Sequence, residues 1–203
     1  KYFVKAHGWF EDDRRLYIAM DFCENGDLAT QIIQQGPMKE SEARDIVWQI
    51  LQGVKAMHEN GFALRDLKPA VCTVRPEHLN ICDFGLSKRS LGDNTYTSAI
   101  KGTPGYLAPE LLTRDGQTAN PYPCDMWCLG EIAYNLLTGQ SVFRDLQSLL
   151  MYHMGHQEFP ARALLDRVGN STDSDAFTFV TALMKSDPKD RLTAGRAGGH
   201  RWM

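Results

Sequence analysis

The chain has 203 residues, of which 43% are hydrophobic and 23% are charged. This is an ordinary globular balance, and the length is sufficient for one domain with a sizeable core. Twenty-two basic and twenty-five acidic residues leave a net charge of −3, so the balance does not favour nucleic acid or an anionic membrane as a partner. No apolar run approaches the roughly 18 residues of a membrane span. We predict one domain with neither kind of partner.

The five cysteines form no Cys-x-x-Cys pair and lie inside apolar stretches, at Cys23, Cys72, Cys82, Cys124 and Cys128. This pattern favours reduced thiols over a disulfide framework, and it predicts an intracellular location, the cytoplasm or alternatively the nucleus. The first ten residues, KYFVKAHGWF, lack the order of a signal peptide. Because the chain begins with Lys1, we expect a preceding segment.

The chain opens with two strand-like stretches, residues 3–10 and 16–22, which are rich in aromatic and β-favouring residues. The polar segment EDDR separates them, so we predict a hairpin. Gly26 ends the second stretch, and LATQIIQQ then has short helical spacing. From Ser41 an amphipathic helix of about five turns is predicted. Its apolar positions are Ala43, Ile46, Val47, Ile50, Leu51, Val54 and Met57.

The remainder of the chain contains short strands and further helices. CTV and LNIC read as strands on either side of a turn, and residues 85–107 read as a long irregular segment. Three more helices are predicted in CDMWCLGEIAYNLLTG, LQSLLMYHM and SDAFTFVTALMK. A short β start followed by a mainly helical part is therefore expected.

Five short motifs follow one another along the chain. They are RDLKP at 65–69, DFGLSK at 83–88, GTPGYLAPE at 102–110, DMWCLG at 125–130 and DPKDRL at 187–192. Each alone could recur by chance, but the ordered set resembles the large lobe of eukaryotic serine/threonine protein kinases, over essentially the whole chain. The stretches EDDRRLYIAMDFCENGDL and GTPGYLAPELL are similar to kinases of the calcium/calmodulin-dependent type.

The resemblance implies a kinase-like α+β fold with three parts. Residues 1–22 would be a remnant of the small lobe with two strands, residues 23–27 the hinge, and residues 28–203 the large lobe. It also implies ATP and Mg²⁺ as cofactors and a protein substrate or docking partner, and it leaves the oligomeric state open.

The resemblance assigns catalytic roles to four residues. Asp66 matches the aspartate that accepts the proton of the substrate hydroxyl, and Lys68 matches the lysine that steadies the transferring phosphoryl group. Asp83 matches the aspartate that holds Mg²⁺ on the nucleotide phosphates. Thr103 matches the threonine that bonds near Asp66 and marks a serine/threonine preference.

The resemblance also places a nucleotide site. Met20 falls at the gatekeeper position, and Asp21 to Cys23 would form the hinge whose backbone meets adenine. Asp27 would lie beside the nucleotide, although a lone aspartate here is more often a solvated turn residue. Thr73 stands where the family usually has a leucine under the adenine ring.

Three further matches are structural. Glu110 and Arg191 match a buried ion pair, and Asp125 matches the aspartate that ties a core helix to the catalytic loop. The histidines show no ligand spacing and are expected to be structural or surface residues: His7, His58, His78, His153, His156 and His200.

The sequence departs from the family pattern within the catalytic loop. Val71 replaces the asparagine that binds a second Mg²⁺, and an isopropyl group offers no lone pair. Ala70 replaces a frequent glutamate, and Leu64 replaces the histidine before Arg65. The polar Thr73 would weaken the apolar floor for adenine.

No G-x-G-x-x-G occurs in the chain, nor does the strand lysine that the family pairs with a helix glutamate. Three interpretations remain open: part of a kinase that is active when complete, a pseudokinase that serves as a docking or scaffold module, or a decayed copy. For the chain as written, we predict neither phosphate transfer nor appreciable binding of Mg·ATP.

A regulatory site is also predicted. Arg65 and Lys88 could form a pocket for a phosphate on the segment between Lys88 and Gly102, where Thr95, Thr97 and Ser98 are the candidate acceptors. The alternative is that GDNTYTS is simply a polar loop.

Overall fold

The structure is a computed structural model, and it describes residues 1–74, 78–90, 102–112 and 120–203. The N-terminal part is the predicted hairpin: β1 (Ala6–Glu11) pairs antiparallel with β2 (Leu16–Met20). Phe10 and Tyr17 stack across it with ring centroids 4.7 Å apart. Every residue of both strands is exposed.

The first strand begins at Ala6 and not at residue 3 as predicted, because residues 2–4 form hydrogen bonds with Ile81. The Ile81 N–H donates to the Tyr2 carbonyl over 2.9 Å, and the Val4 N–H donates to the Ile81 carbonyl over 3.1 Å. Residues 2–4 therefore extend a sheet of the main body and tie the hairpin to it.

Two helices follow the hairpin, as predicted. The first, α1 (Leu28–Gln35), begins at Asp27, whose side chain accepts a hydrogen bond from the Thr30 N–H. The second, α2 (Glu40–Glu59), buries the apolar stripe of the sequence, including Val47, Ile50 and Val54. Burial of one such face is what stabilises an amphipathic helix in a folded protein.

Short antiparallel strand pairs surround the end of α2. The predicted strands are present as β4 (Cys72–Val74) and β5 (Leu79–Ile81), which pair with each other. A second pair, β3 (Phe62–Ala63) with β6 (Lys88–Arg89), was not predicted, and β6 lies in the segment expected to be irregular. Strands of two residues are too short for any alternation to be seen in the sequence.

One buried helix, α3 (Tyr122–Thr138), which the sequence predicted, lies in the core, and four helices follow it in the described range 120–203. They are α4 (Leu146–His153), α5 (Arg162–Arg167), α6 (Asp175–Leu183) and α7 (Ala194–Ala197). The short α5 and α7 were missed. Three 3₁₀ helices lie at Pro69–Val71, Pro109–Leu112 and Pro188–Asp190.

The centre of α3 approaches α6 closely. A Cβ atom added at Gly130 would lie 2.5 Å from the Met184 side chain, so only glycine allows this packing. The α+β class expected from the sequence is confirmed. Among the described residues, no helix has the length and apolar character needed to cross a membrane.

Candidate active site

The predicted catalytic loop, which carries RDLKP at 65–69, is held in place by the buried carboxylate of Asp125, near the start of α3. The backbone N–H groups of Leu64 and Arg65 donate to it over 2.9 and 2.7 Å. His58, near the end of α2, contacts the same carboxylate over 2.8 Å. Arg65 has the left-handed φ of 69°, a strained conformation for this residue type. Asp125 therefore ties the core helix to the loop, as predicted.

Asp66, Lys68 and Thr103 meet in a closed triangle of hydrogen bonds. The Lys68 Nζ donates to Asp66 Oδ2 and to Thr103 Oγ1, in each case over 2.6 Å. The Thr103 hydroxyl donates to Asp66 Oδ1 over 2.8 Å. The Asp66 and Lys68 side chains are 18% and 21% exposed, so both are fixed and still reachable by a substrate. Such a group can orient a hydroxyl and accept its proton.

The position predicted to supply a second metal ligand faces the core instead. Val71 is 5% exposed and ends the 3₁₀ helix that follows Lys68, and its carbonyl accepts from the Cys82 N–H over 2.8 Å. Its side chain belongs to the hydrophobic core. It offers no oxygen to a cation.

Asp83 comes directly after Cys82 and is exposed. Its Oδ1 accepts from the Gly85 N–H over 3.0 Å, and its φ is 64°. Mg²⁺ is often held by one or two carboxylates together with substrate phosphates, so Asp83 fits one ion. A second ion would lack the oxygen at Val71. Across the described ranges, no three His, Cys, Asp or Glu side chains are grouped to hold a metal without a nucleotide.

The predicted hinge contacts the predicted floor of the adenine site. The Cys23 thiol donates to Thr73 Oγ1 over 3.1 Å, and the Thr73 hydroxyl donates to the Asn80 carbonyl over 3.2 Å. The hydroxyl that replaces the expected leucine is therefore engaged in hydrogen bonds. This polar contact was not predicted.

The other predicted nucleotide residues surround the same region. Met20 ends β2 and is half exposed, and the Asp21 carboxylate contacts His7 Nε2 over 2.6 Å. Asp27 caps α1. Burial and then the charge of Asp83 raise the pKa of the Cys82 thiol, and the nearby Cys23 and Asp27 add to the effect. Cys23 of the predicted hinge, Asp27 before α1 and Asp83 are thus near enough to Cys82 to raise the pKa of its thiol.

Of the predicted regulatory group, the structure places only the two cations. Lys88 pairs with Ala63 across β3 and β6, two residues before Arg65. Thr95, Thr97 and Ser98 lie outside the described residues. The phosphate pocket stays a prediction.

Sequence reasoning missed one buried acid close to the site. Glu131, on α3, is 2% exposed, and its Oε1 accepts from the Val142 N–H over 2.9 Å. Its Oε2 is fully buried, and the Ser141 side chain nearby partly stabilises the charged carboxylate. Burial raises the pKa of Glu131 to about 8. The signal was available, since an acid interrupts the apolar stripe from Trp127 to Leu137.

Known proteins are similar to this chain along nearly its whole length. The family model described as "Protein kinase domain" matches residues 1–203. A serine/threonine-protein kinase H1 homolog of Danio rerio is 35% identical over 204 residues, which are 96% of this chain and 46% of that protein. The calcium/calmodulin-dependent protein kinase type 1 of Caenorhabditis elegans is 34% identical over 209 residues, 98% of this chain and 57% of that protein.

The chain thus spans about half the length of these curated relatives. The family match, the two relatives and the Asp66, Lys68 and Thr103 triangle agree with one another. This chain belongs to the eukaryotic serine/threonine protein kinase family.

Proposed function

We propose that these 203 residues form a degenerate serine/threonine kinase domain that can present a substrate hydroxyl but neither binds Mg·ATP appreciably nor transfers phosphate. The observation that carries the proposal is Val71, which is buried in the core where the family pattern has a metal-binding asparagine. Loss of a ligand's outer-shell partner alone costs a metal site roughly 10- to 100-fold in affinity. Loss of the ligand itself costs more.

The half of the site that would receive the substrate supports the kinase part of the proposal. Asp66 would accept the proton of an incoming serine or threonine hydroxyl, since its carboxylate is held in place by Thr103 and Lys68. Lys68 would place its positive charge beside the phosphoryl group. Mg·ATP, when bound, supplies the phosphoryl group, and its Mg²⁺ neutralises the negative charge of the phosphate oxygens. Asp83 would hold its metal ion.

The second candidate is a pseudokinase that serves as a protein-interaction module. The replacements at Leu64, Val71 and Thr73 favour it. Nucleotide binding distinguishes the two candidates. A metal ligand restored at position 71 could recover nucleotide binding in a degenerate kinase but not in a pure interaction module.

The experiment is thermal melting of the purified chain with and without millimolar Mg·ATP, for the unmodified protein and for Val71→Asn. Ligand at about 100 times its dissociation constant would stabilise the fold by about 2.7 kcal/mol. For a domain of this size, that raises the melting temperature by roughly 5 to 10 °C. We expect no shift in the unmodified chain, and a shift confined to Val71→Asn would identify that position as the defect.

Two controls isolate the cause. Val71→Ala loosens the same packing without adding an oxygen, and it should show no shift. Asp83→Ala removes the remaining metal carboxylate, so it should abolish any shift gained by Val71→Asn. A shift in the unmodified chain that Asp83→Ala removes would contradict the proposal. Absence of a shift in every variant would show that Val71 is not the only defect, and it would leave the interaction module as the remaining candidate.

A further inference from the structure

A cavity of about 630 Å³ lies between the end of α2, the start of α3 and the segment from Pro188 to Gly195. Its described lining residues do not include Asp66, Lys68 or Thr103, so it is separate from the candidate active site. Sites for small molecules usually have volumes of about 300 to 1,000 Å³. The cavity is therefore large enough for a small ligand.

The walls of this cavity are largely apolar and include several rings. The rings of Tyr122, Pro123 and Pro188 line it, together with the side chains of Met126 and Leu192. Aromatic rings stack with an offset on flat partners, and a methionine sulfur makes favourable contacts with ring edges. These walls therefore suit a planar aromatic group.

Two of the lining residues are fixed by buried carboxylates. His58 contacts the Asp125 carboxylate over 2.8 Å, and its ring centroid lies 4.5 Å from that of Tyr122. Arg191 is held by two hydrogen bonds to Glu110. A wall whose side chains are already ordered lowers the entropy cost of binding a ligand. The cavity is thus a preformed part of the fold.

Basic side chains outnumber acidic ones in the cavity lining. The basic residues are Lys55, His58, Lys189 and Arg191, and among the described lining residues the acidic one is Glu59. Glu59 lies 3.9 Å from Lys55 in an exposed pair, so these two charges offset each other. The carboxylates of Asp125 and Glu110 face His58 and Arg191. The remaining charge in the lining is that of Lys189.

Lys189 places its ammonium group at the rim. It is exposed and lies in the 3₁₀ helix Pro188–Asp190. The acids of the same segment, Asp187 and Asp190, are not among the residues that line the cavity. Asp187 caps that 3₁₀ helix by accepting from the Lys189 N–H over 2.9 Å. A ligand in the cavity therefore meets rings on the walls and a positive charge at the edge, which favours an anion.

We propose that this cavity binds a small planar aromatic molecule that carries one acidic group, with its rings against Tyr122 and the two prolines and its acid beside Lys189. The inference does not depend on the proposed function, because neither a nucleotide nor the catalytic triangle takes part in binding.

The cavity also touches the anchors of two segments of the candidate active site. His58, which lines the cavity, shares the Asp125 carboxylate with the backbone N–H groups of the predicted catalytic loop. Arg191, which also lines it, holds the end of the GTPGYLAPE segment through Glu110. A ligand in the cavity therefore lies against both anchors.

The experiment uses two fluorescent probes that differ in charge. Anilinonaphthalene sulfonate is an aromatic acid, and phenylnaphthylamine has the same rings without the sulfonate. Titration of each probe into the purified chain without nucleotide gives a dissociation constant from the rise in probe fluorescence. Because the exposed rings of β1 and β2 also attract such probes, the site is identified by variants and not by the signal alone.

Filling the cavity is the first comparison. Gly195 lines the cavity, and a Cβ atom added there would have no heavy atom within 4 Å. Gly195→Trp should therefore occupy the cavity and weaken both probes by at least about 10-fold. Gly195→Leu is a smaller replacement that keeps the comparison available if circular dichroism shows that the tryptophan variant is unfolded.

Gly199→Trp is the matched control for this replacement. Gly199 is exposed and lies outside the cavity lining, and a Cβ atom added there would lie 3.7 Å from the Arg196 carbonyl, an ordinary contact. This variant should leave the affinity for both probes unchanged.

Charge reversal at the rim is the second comparison. Lys189→Glu should weaken the sulfonate probe about 3- to 10-fold and leave the uncharged probe within about twofold. Lys185→Glu makes the same change at an exposed lysine outside the cavity lining, and it should affect neither probe.

Two results would overturn the inference. Unchanged binding of the sulfonate probe in both Gly195 variants would place the probe elsewhere on the protein. Equal effects of Lys189→Glu on the two probes would identify a neutral apolar occupant in place of an aromatic acid. Neither result bears on Mg·ATP, so the melting experiment on Val71→Asn decides the proposed function separately.

Discussion

Glu110 and Arg191, 81 positions apart in the sequence, form a bidentate ion pair in the protein core. Arg191 Nη1 and Nη2 each donate to one oxygen of the Glu110 carboxylate over 2.6 Å, and each residue is 5% exposed. The guanidinium also donates to three backbone carbonyls, those of Pro123, Lys185 and Ser186. The pair confirms the sequence expectation, and it joins the end of the GTPGYLAPE segment to the loop after α6.

Glu110→Gln is expected to lower the free energy of unfolding by about 3 to 5 kcal/mol, because it leaves a buried guanidinium without its counter-charge. Urea unfolding followed by circular dichroism measures this. The matched control is Asp166→Asn, which removes the exposed pair between Arg162 and Asp166 on α5 and should cost about 0.5 kcal/mol or less. Equal losses in the free energy of unfolding for the two variants would contradict the conclusion that the buried pair stabilises the fold more than the exposed one.

Thr103→Val is expected to destabilise the fold by about 1.5 to 3 kcal/mol. It removes a hydroxyl that both donates to Asp66 and accepts from Lys68, and both partners are charged. Thr103→Ser keeps the hydroxyl and should behave nearly like the unmodified chain. The measurement is again urea unfolding, and a serine variant as unstable as the valine variant would show that the methyl group matters instead.

Glu131→Gln tests the buried acid. The folded pKa is raised from 4.5 to about 8, so the folded state holds a proton that the unfolded state releases between these values. The stability present below pH 4.5 is therefore lost as the pH rises towards 8. The loss is about 1.4 kcal/mol per pH unit at its steepest. Burial, and then the charge of Glu131, raise the pKa values of Tyr106 and Tyr134, so both phenols stay neutral in this range.

The glutamine variant cannot ionise, so its stability should vary less between pH 5 and 8, and at pH 8 it should exceed that of the unmodified chain. Thermal melting across this range is the measurement. Glu158→Gln, at an exposed position, should keep the original pH dependence. Parallel pH profiles for the unmodified chain and Glu131→Gln would rule out the raised pKa.

Amide hydrogen exchange should be fast in β1 and β2 and slow in α2. The hairpin strands are exposed along their whole length, whereas α2 packs against α3 and β5 with Val47 and Val54 fully buried. A two-stranded hairpin is marginally stable in water by itself. Exchange of the monomer followed by mass spectrometry or NMR tests this, and equal protection at Trp9 and Val47 would count against it.

The sequence predicted those parts of the fold that have a local signal. The stripe from Ala43 to Met57 is periodic, so α2 was placed within one or two residues of its ends. The strand pair Phe62–Ala63 with Lys88–Arg89 has no such signal, because two residues cannot show a period. Residues 2–4 read as part of the first strand, since their β propensity does not reveal that their partner is Ile81.

The candidate site likewise has contacts that the sequence predicts and contacts that it does not. The family resemblance predicts that Asp66, Lys68 and Thr103 lie together, and the structure shows their three hydrogen bonds. The contact from Cys23 to Thr73 joins residues 50 positions apart, and it depends on how α1 and β4 pack. No local pattern encodes such a contact. The same holds for the cavity beside Lys189, whose walls come from three separate segments.

The hold of Asp125 on the catalytic loop changes how residue 64 should be judged. Asp125 binds the backbone N–H groups of Leu64 and Arg65, and every residue except proline carries that group at position 64. A leucine in place of histidine therefore leaves this anchor of the loop intact. When kinase sequences are sorted into active and inactive members, the residue at position 64 is therefore a weaker criterion than the residue at position 71. At position 71 the family's asparagine binds the ion through its side chain, which Val71 cannot do.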